Sequence, residues 1–490
     1  MPHQHVAAEA IKTDYLVIGA GAMGMAFVDT MLSDSKASIT IVDRLHQPGG
    51  HWNMAYPFVT LHQPSTYYGV NSKVLGADKV DQGGWNDGLV ELASGSEVCA
   101  YFKQVMHQIF VPSGRVTYYS KCDYLGDGKF TSLDTGKTYQ AGNKTRIVDA
   151  TYMKVKVPSM GPPSYRVGDG VQLVTPNQMA LLSRPYANYT VVGSGKTGID
   201  SCLWLLGIGV DPSKISWIMP RDQWLHDRKA YQPGDLFAES RLANVPKQIQ
   251  AIHASTTADD LFHRLADAGQ LLRLTDEVWP TMFRCATVSL KELKALRTIK
   301  NIIRMGRIEM VDVDKVTLEQ GSYQPDPDTL WIDCTADALA NLRPKPVFQD
   351  DVITLQPVRF CQQNFSAAFI AHVEITYQDQ KEQNYICRPI PHPKYGVDWI
   401  VIMVLNHRNS LRWNRYPKTA KWLAASRLDW LRHLVPPLPE DPEQRKAADE
   451  QMTTILEGIC TKLESLIDTL SPEDAKRVRG QIRDSEVAAK

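Results

Sequence analysis

The chain has 490 residues with 54 Lys+Arg against 54 Asp+Glu, so its formal net charge is zero. That balance excludes a general nucleic-acid or membrane-surface role, which needs surplus cations to neutralise phosphates, and the length exceeds one small core, implying two or three domains. The 8 cysteines are scattered with no pair two residues apart, so no metal site, no Cys-x-x-Cys and no disulfide framework is expected, which suits a reducing cytosol.

Residues 1–13 carry two histidines and no apolar stretch of signal-peptide length. The longest apolar run, Trp399–Leu405, is strand-sized and far too short to span a membrane; a cytoplasmic protein is expected.

The first strand and turn organise the rest of the chain. Tyr15-Leu16-Val17-Ile18 reads as a buried parallel strand, and Gly19-Ala20-Gly21-Ala22-Met23-Gly24 places glycines where a strand-to-helix turn admits a pyrophosphate. Gly19 permits the tight turn, Gly21 leaves the backbone bare toward the phosphate, and Gly24 allows close helix–strand packing. The helix that opens there presents unpaired N–H groups and its positive dipole end to an anion. A second strand, Ile39–Val42, ends in Asp43, nineteen residues after Gly24, where a carboxylate can accept hydrogen bonds from an adenosine ribose. Arg44 follows, and then Gly49-Gly50-His51-Trp52, a bare backbone stretch ending in flat side chains, as a flavin site needs.

Val17-Ile18-Gly19-Ala20-Gly21, Asp43 and Gly49-Gly50-His51-Trp52 together resemble the FAD-binding start of flavoprotein monooxygenases with two dinucleotide-binding domains. That class B group includes flavin-containing monooxygenases, Baeyer-Villiger oxygenases and N-hydroxylases. The resemblance implies an α/β fold with two Rossmann-like domains, the NAD(P) domain inserted into a discontinuous FAD domain. It also implies that the polar, aromatic loop Tyr56–Tyr68 lies near the flavin ring, which makes His62, Gln63 and Ser65 candidates to hydrogen-bond the flavin edge or a reactive oxygen adduct.

Further along, glycines mark residues 73–93 as a loop, and a helix is expected from about Gly95 to Phe110. Strands are expected at Arg115–Tyr119, Cys122–Leu125, Lys129–Leu133 and Thr145–Thr151, before prolines 158, 162 and 163 mark a linker. Tyr189–Val192 followed by Gly193-Ser194-Gly195-Lys196-Thr197-Gly198 then repeats the opening pattern of strand, glycine turn and helix. A triphosphatase phosphate loop is excluded, because that pattern needs a glycine where Val191 or Thr190 stands.

The next strand, Ile215–Met219, runs into Arg221, whose guanidinium suits the 2′-phosphate of NADP. Asp222 beside it keeps NADH open, while Arg228 and Lys229 add positive charge or lie on a solvated surface. From about 236 to 300 the pattern is helical, with Trp279, Met282, Phe283 and Arg284 as candidate walls of a substrate pocket. Strands are expected near 307–311, 316–318 and 330–336; residues 353–405 read as strands with a short helix near Phe365–His372. Helices are expected near 416–434 and 443–468.

The expected domains are 1–165 (FAD, first part), 166–325 (NAD(P), with the insertion) and 326–490 (FAD, second part, with C-terminal helices). The resemblance implies an oxidoreductase reduced by NADPH that uses FAD, a small organic substrate and molecular oxygen, with no metal. The histidine motif that the Baeyer-Villiger group carries before its second glycine turn is absent from Tyr165–Gln178. That absence favours one alternative, a flavin reductase or dehydrogenase without oxygen insertion; a third reading, of a different class, is a non-catalytic FAD-binding redox sensor.

Overall fold

A computed structural model describes residues 8–336, 339–340, 342–433 and 441–488. The first seven residues of the N-terminal stretch, and residue 434 at the end of the helix expected near 416–434, lie outside this range.

The first strand, β1 (Tyr15–Ile18), sits inside a six-stranded sheet with the spatial order Phe348–Gln349, Val352–Thr354, Arg146–Asp149, β1, β2 (Ile39–Val42) and Val116–Tyr119. All neighbours run parallel except the first pair. Its strands are short and apolar because both faces are covered. Val17, Ile41 and Val148 point into a core shared with α1 (Ala22–Asp34) and the helix Gln363–Thr376, which pack together. Leu16, Ile18 and Val42 point the other way, onto Cys122, Phe130 and Ala141 of a four-stranded sheet. Helix, parallel sheet and small sheet thus form three layers, with the period of two along β1 deciding which residue joins which core.

The same layering recurs. A five-stranded parallel sheet has the order Gln172–Val174, Thr329–Asp333, β3 (Asn188–Val192), β4 (Ile215–Ile218) and Asn301–Ile303. Tyr189, Val191, Trp217 and Ile332 face α2 (Lys196–Gly207) through Ile199, Cys202 and Leu203. Val192, Ile218 and Trp331 face a second small sheet through Val311, Val316 and Leu318. The molecule is therefore α/β with two Rossmann-like parallel sheets, each covered by helices on one face and a small sheet on the other.

Three stretches differ from expectation. Within the segment expected to be helical, Ala238–Ala254 and Ala258–Asp267 are helices, but Met282–Val288 is a strand paired in parallel with Gln223–Asp227. Its aromatic and β-branched residues fill a buried strand, and a Ser289/Glu292 capping box starts the next helix immediately after it. Trp399–Leu405, read as strand-sized, lies in the helix Asp398–Asn414, and 353–405 is mostly helical beyond Val352–Thr354. All of residues 398–406 are buried, so the first half of that helix has no polar face to reveal its period. Finally, Cys285 and Cys361 form a disulfide across 76 residues, where none was expected. No helix among the described residues is long and apolar enough to cross a membrane.

Candidate functional site

The two glycine turns are geometrically the same. Gly19 and Gly193 both take a left-handed backbone, with φ of 103° and 115°. Their N–H groups donate to Val42 and Ile218 carbonyls at 2.8 and 3.0 Å, locking each turn to the end of the neighbouring strand. A Cβ on Gly24 would stand 2.0 Å from the Gly19 carbonyl oxygen, and one on Gly198 2.1 Å from that of Gly193. Only glycine allows helix and strand to approach so closely.

Gly21 and Gly195 are the N-caps of α1 and α2, and neither helix receives a side-chain cap. Each therefore leaves first-turn N–H groups and a positive dipole end for an anionic ligand. A Cβ on Gly195 would meet nothing within 4 Å, and one on Gly21 only the Cα of Gly50 at 3.6 Å. Gly50 supports the first turn from behind: its own Cβ would lie 2.9 Å from the Gly21 Cα, and Gly49 N–H donates to the Ala20 carbonyl at 2.9 Å.

Asp43 ends β2 as expected, but both carboxylate oxygens accept backbone N–H groups, from Ala20 at 2.5 Å and Leu45 at 2.7 Å. It is 7 % exposed, and burial raises its pKa. Both oxygens are thus engaged, and through Ala20 the acid braces the glycine turn. Arg44 is exposed beside it, 3.5 Å from Asp123.

His51 stacks on Trp52, and the Trp52 indole donates to the Tyr68 hydroxyl at 2.6 Å. Burial lowers His51 to a pKa of about 4. The His62 ring accepts at Nδ1 from the Thr287 N–H at 3.3 Å, while its carbonyl accepts from Arg228 Nε at 3.0 Å. Burial first, then Lys196, Arg228 and His226, push His62 down to about 3, so the ring is neutral with its proton on Nε2. Gln63 is half-buried next to it. Ser65 is 1 % exposed and part of the framework: it donates to the Glu91 carbonyl at 3.0 Å and accepts from Ala93 N–H at 2.7 Å.

The loop carrying these residues is held from distant parts of the chain. Arg427 donates to the carbonyls of Thr66, Tyr68, Val70 and Lys73, and Ser426 donates to Asn71 at 2.9 Å. Tyr56 donates to Asp200 at 2.6 Å, and Lys196 pairs with the same carboxylate. Together they join the first loop to the N-terminal turns of α2.

In the second turn, the Trp217 indole donates to the Gly193 carbonyl at 2.9 Å, and Gln223 Nε2 to the Ser194 carbonyl. Gln223 Oε1 is buried without a hydrogen-bond partner. Thr197 occupies the second position of α2. Arg221 reaches toward the Lys394 carbonyl and the Tyr395 ring, while Asp222 is taken by a two-pronged ion pair from Arg304 at 2.8 and 2.9 Å.

Arg228 neither lies on a solvated surface nor adds free positive charge. It is 0 % exposed, paired to Glu292 at 2.8 Å, and also donates to Asn86 at 3.0 Å. Lys229 is exposed. Of the supposed pocket walls, Met282 and Phe283 are buried in their strand, Trp279 packs edge-on against Trp224, and Arg284 donates to the Leu339 carbonyl at 3.1 Å.

Sequence reasoning missed Asp200, Gln223, Thr287, Glu292 and Arg427, and the partners of Tyr56 and Arg228. Only the Lys196/Asp200 spacing of four along a helix carried a local signal. The others are partners across distant stretches of chain, or act through backbone groups.

No family model matches the chain. An uncharacterized protein of Mycobacterium tuberculosis is 48% identical over 470 residues, covering 96% of this chain and 87% of the relative. Among solved structures, the open form of cyclohexanone monooxygenase is similar at 14% identity over 76% of this chain and 88% of that one, with a TM-score of 0.45. A flavin-containing monooxygenase from Stenotrophomonas maltophilia is similar at 15% identity over 77% of this chain and 99% of that one, with a TM-score of 0.41.

Proposed function

The chain belongs to the same family as the uncharacterized mycobacterial protein, and we propose that it is an FAD-dependent oxidoreductase reduced by NADPH, monooxygenase-like in its chemistry. The observation that carries this reading is the duplicated glycine turn: two uncapped helix N-termini, each behind a bare backbone, in one chain. One such turn holds a dinucleotide; two imply a pair that exchange electrons.

The residues fit both groups. In the first site, Gly19, Gly21 and Gly24 cradle the FAD pyrophosphate, Asp43 and Arg44 flank its ribose, and Gly50, His51, Trp52 and Gln63 line the path toward the ring. In the second, Gly193, Ser194, Gly195, Lys196, Thr197 and Gly198 cradle the nicotinamide dinucleotide. There Arg221 is the donor for a 2′-phosphate, and because Arg304 occupies Asp222, the neighbouring carboxylate does not repel that phosphate. The unpaired Gln223 Oε1 is an acceptor for a hydroxyl or amide of the same ligand.

When bound, FAD would supply hydride acceptance from NADPH and electron transfer to molecular oxygen for oxidation of a small organic substrate. The chain's part is placement and electrostatics. His62, neutral with a proton on Nε2, offers a hydrogen-bond donor near the ring, and Gln63 offers an amide beside it. Ser65 contributes by holding the loop. The missing histidine motif before the second turn favours a second reading, reduction without oxygen insertion.

The test is a visible absorption spectrum of the purified chain followed by rapid mixing with NADPH. Oxidised-flavin peaks that bleach, then a near-ultraviolet oxygenated species on adding air, are expected. Bleaching without that species selects the second reading, and a preparation that stays colourless when offered flavin nucleotides refutes both.

A further inference from the structure

Two cysteines stand apart from the others. Cys285, inside the strand Met282–Val288, is disulfide-bonded to Cys361, two residues ahead of the helix Gln363–Thr376. Both have left-handed backbones, with φ of 58° and 44°, whereas every other described non-glycine residue with positive φ is an Asp or a Lys. Such a conformation is disfavoured for a side chain of this kind and persists where the surroundings impose it, commonly at functional sites.

The pair also brackets the loop that carries His62. Thr287, two residues beyond Cys285, donates to His62 at 3.3 Å, and Asn364, three beyond Cys361, donates to the Gly69 carbonyl at 2.9 Å. His226 pairs in register with Thr287, and its ring centroid lies 5.4 Å from that of Phe283, two residues before Cys285, and 5.8 Å from that of Phe360, next to Cys361. Gln362, adjoining Cys361, keeps a buried Oε1 with no hydrogen-bond partner among the described residues. Cys361 itself is half-buried and reachable, whereas Cys202, Cys334 and Cys387 are buried thiols whose pKa burial raises, the inert condition.

We infer that Cys285–Cys361 is a second redox centre, reduced by electrons that NADPH brings to the adjoining site; this rests on the proposed use of FAD and NADPH. One NADPH and one solvent proton give NADP⁺ and two thiols: the S–S bond breaks, two electrons enter, and each sulfur gains a proton. Reduction removes the covalent tie between the strand Met282–Val288 and the segment leading into Gln363–Thr376, which are two of the supports of the His62 loop.

The test is an anaerobic titration of the FAD-loaded full chain with NADPH, followed by alkylation with N-ethylmaleimide and mass mapping of the labelled cysteines. Two equivalents of NADPH per flavin and new label on Cys285 and Cys361 are expected, with Cys361→Ser taking one equivalent. Bleaching that stops at one equivalent in the natural chain, with neither cysteine labelled, overturns the inference and leaves the cofactor reading standing. A bound flavin that NADPH does not bleach overturns the cofactor reading and with it the electron source proposed here. The labelling map is read on the natural chain, so a misfolded Cys361→Ser does not blunt it.

Discussion

At the scale of single residues, the glycines of the two turns separate into those the fold needs and those the proposed cofactors would need. Gly24→Ala drives a methyl into the Gly19 carbonyl and is expected to cost about 1–3 kcal/mol or more, read as a lower midpoint in urea. Gly195→Ala puts its methyl into open space, so the midpoint should hold while affinity for NADPH drops at least tenfold by fluorescence titration. Equal effects of the two substitutions on stability would contradict this division. Arg228 belongs with the structural group: Arg228→Met leaves Glu292 buried and unpaired, at a cost of about 3–5 kcal/mol, measurable by the same denaturation. The glycine spacing was legible in the sequence because a turn is local. The pairing of Arg228 with Glu292 was not, since the two meet only through the tertiary fold and Arg228 beside Lys229 looks like an ordinary surface pair.

At the scale of elements, each glycine turn depends on the strand next to it. Trp217 on β4 satisfies the Gly193 carbonyl, and Trp217→Phe keeps the packing while removing that donor. A loss of about 1–3 kcal/mol is expected from the orphaned carbonyl. NADPH affinity should weaken while flavin content stays constant, because the first turn has its own brace in Asp43; a variant that loses flavin instead would show that the turns are not independent. Elements with a clear period or turn chemistry were readable: β1, β2, β3, β4 and the helices they feed. The helix Asp398–Asn414 was not, because burial on every side of its first half erases the polar stripe that distinguishes a helix from a strand. The strand Met282–Val288 was hidden by its helical neighbours, and its parallel partner, Gln223–Asp227, is remote in sequence.

At the scale of the whole molecule, buried imidazoles tie stability to pH. His226, His372 and His392 are 3 %, 6 % and 9 % exposed, and burial lowers them to about 4, 4 and 3. They stay neutral in the native state, whereas in the unfolded chain they protonate near 6.5. Their stabilisation is therefore complete above about pH 6.5 and is lost as pH falls toward 4, at about 1.4 kcal/mol per pH unit for each. The buried carboxyls of Asp29, Asp43 and Glu374, raised by burial, oppose this at the acid end. Urea midpoints should fall between about pH 7.5 and 5; a flat profile would show that these rings are protonated in the native state. None of this coupling was visible in the sequence, where a histidine's depth has no local mark.

Arg427 gives the chain a direction in time. Because the guanidinium that gathers the carbonyls of Thr66, Tyr68, Val70 and Lys73 is encoded at least 354 residues after them, that loop cannot be set until residue 427 has left the ribosome. Pigment should then be acquired only once that residue has emerged, and nascent chains arrested ahead of residue 427 should be pale.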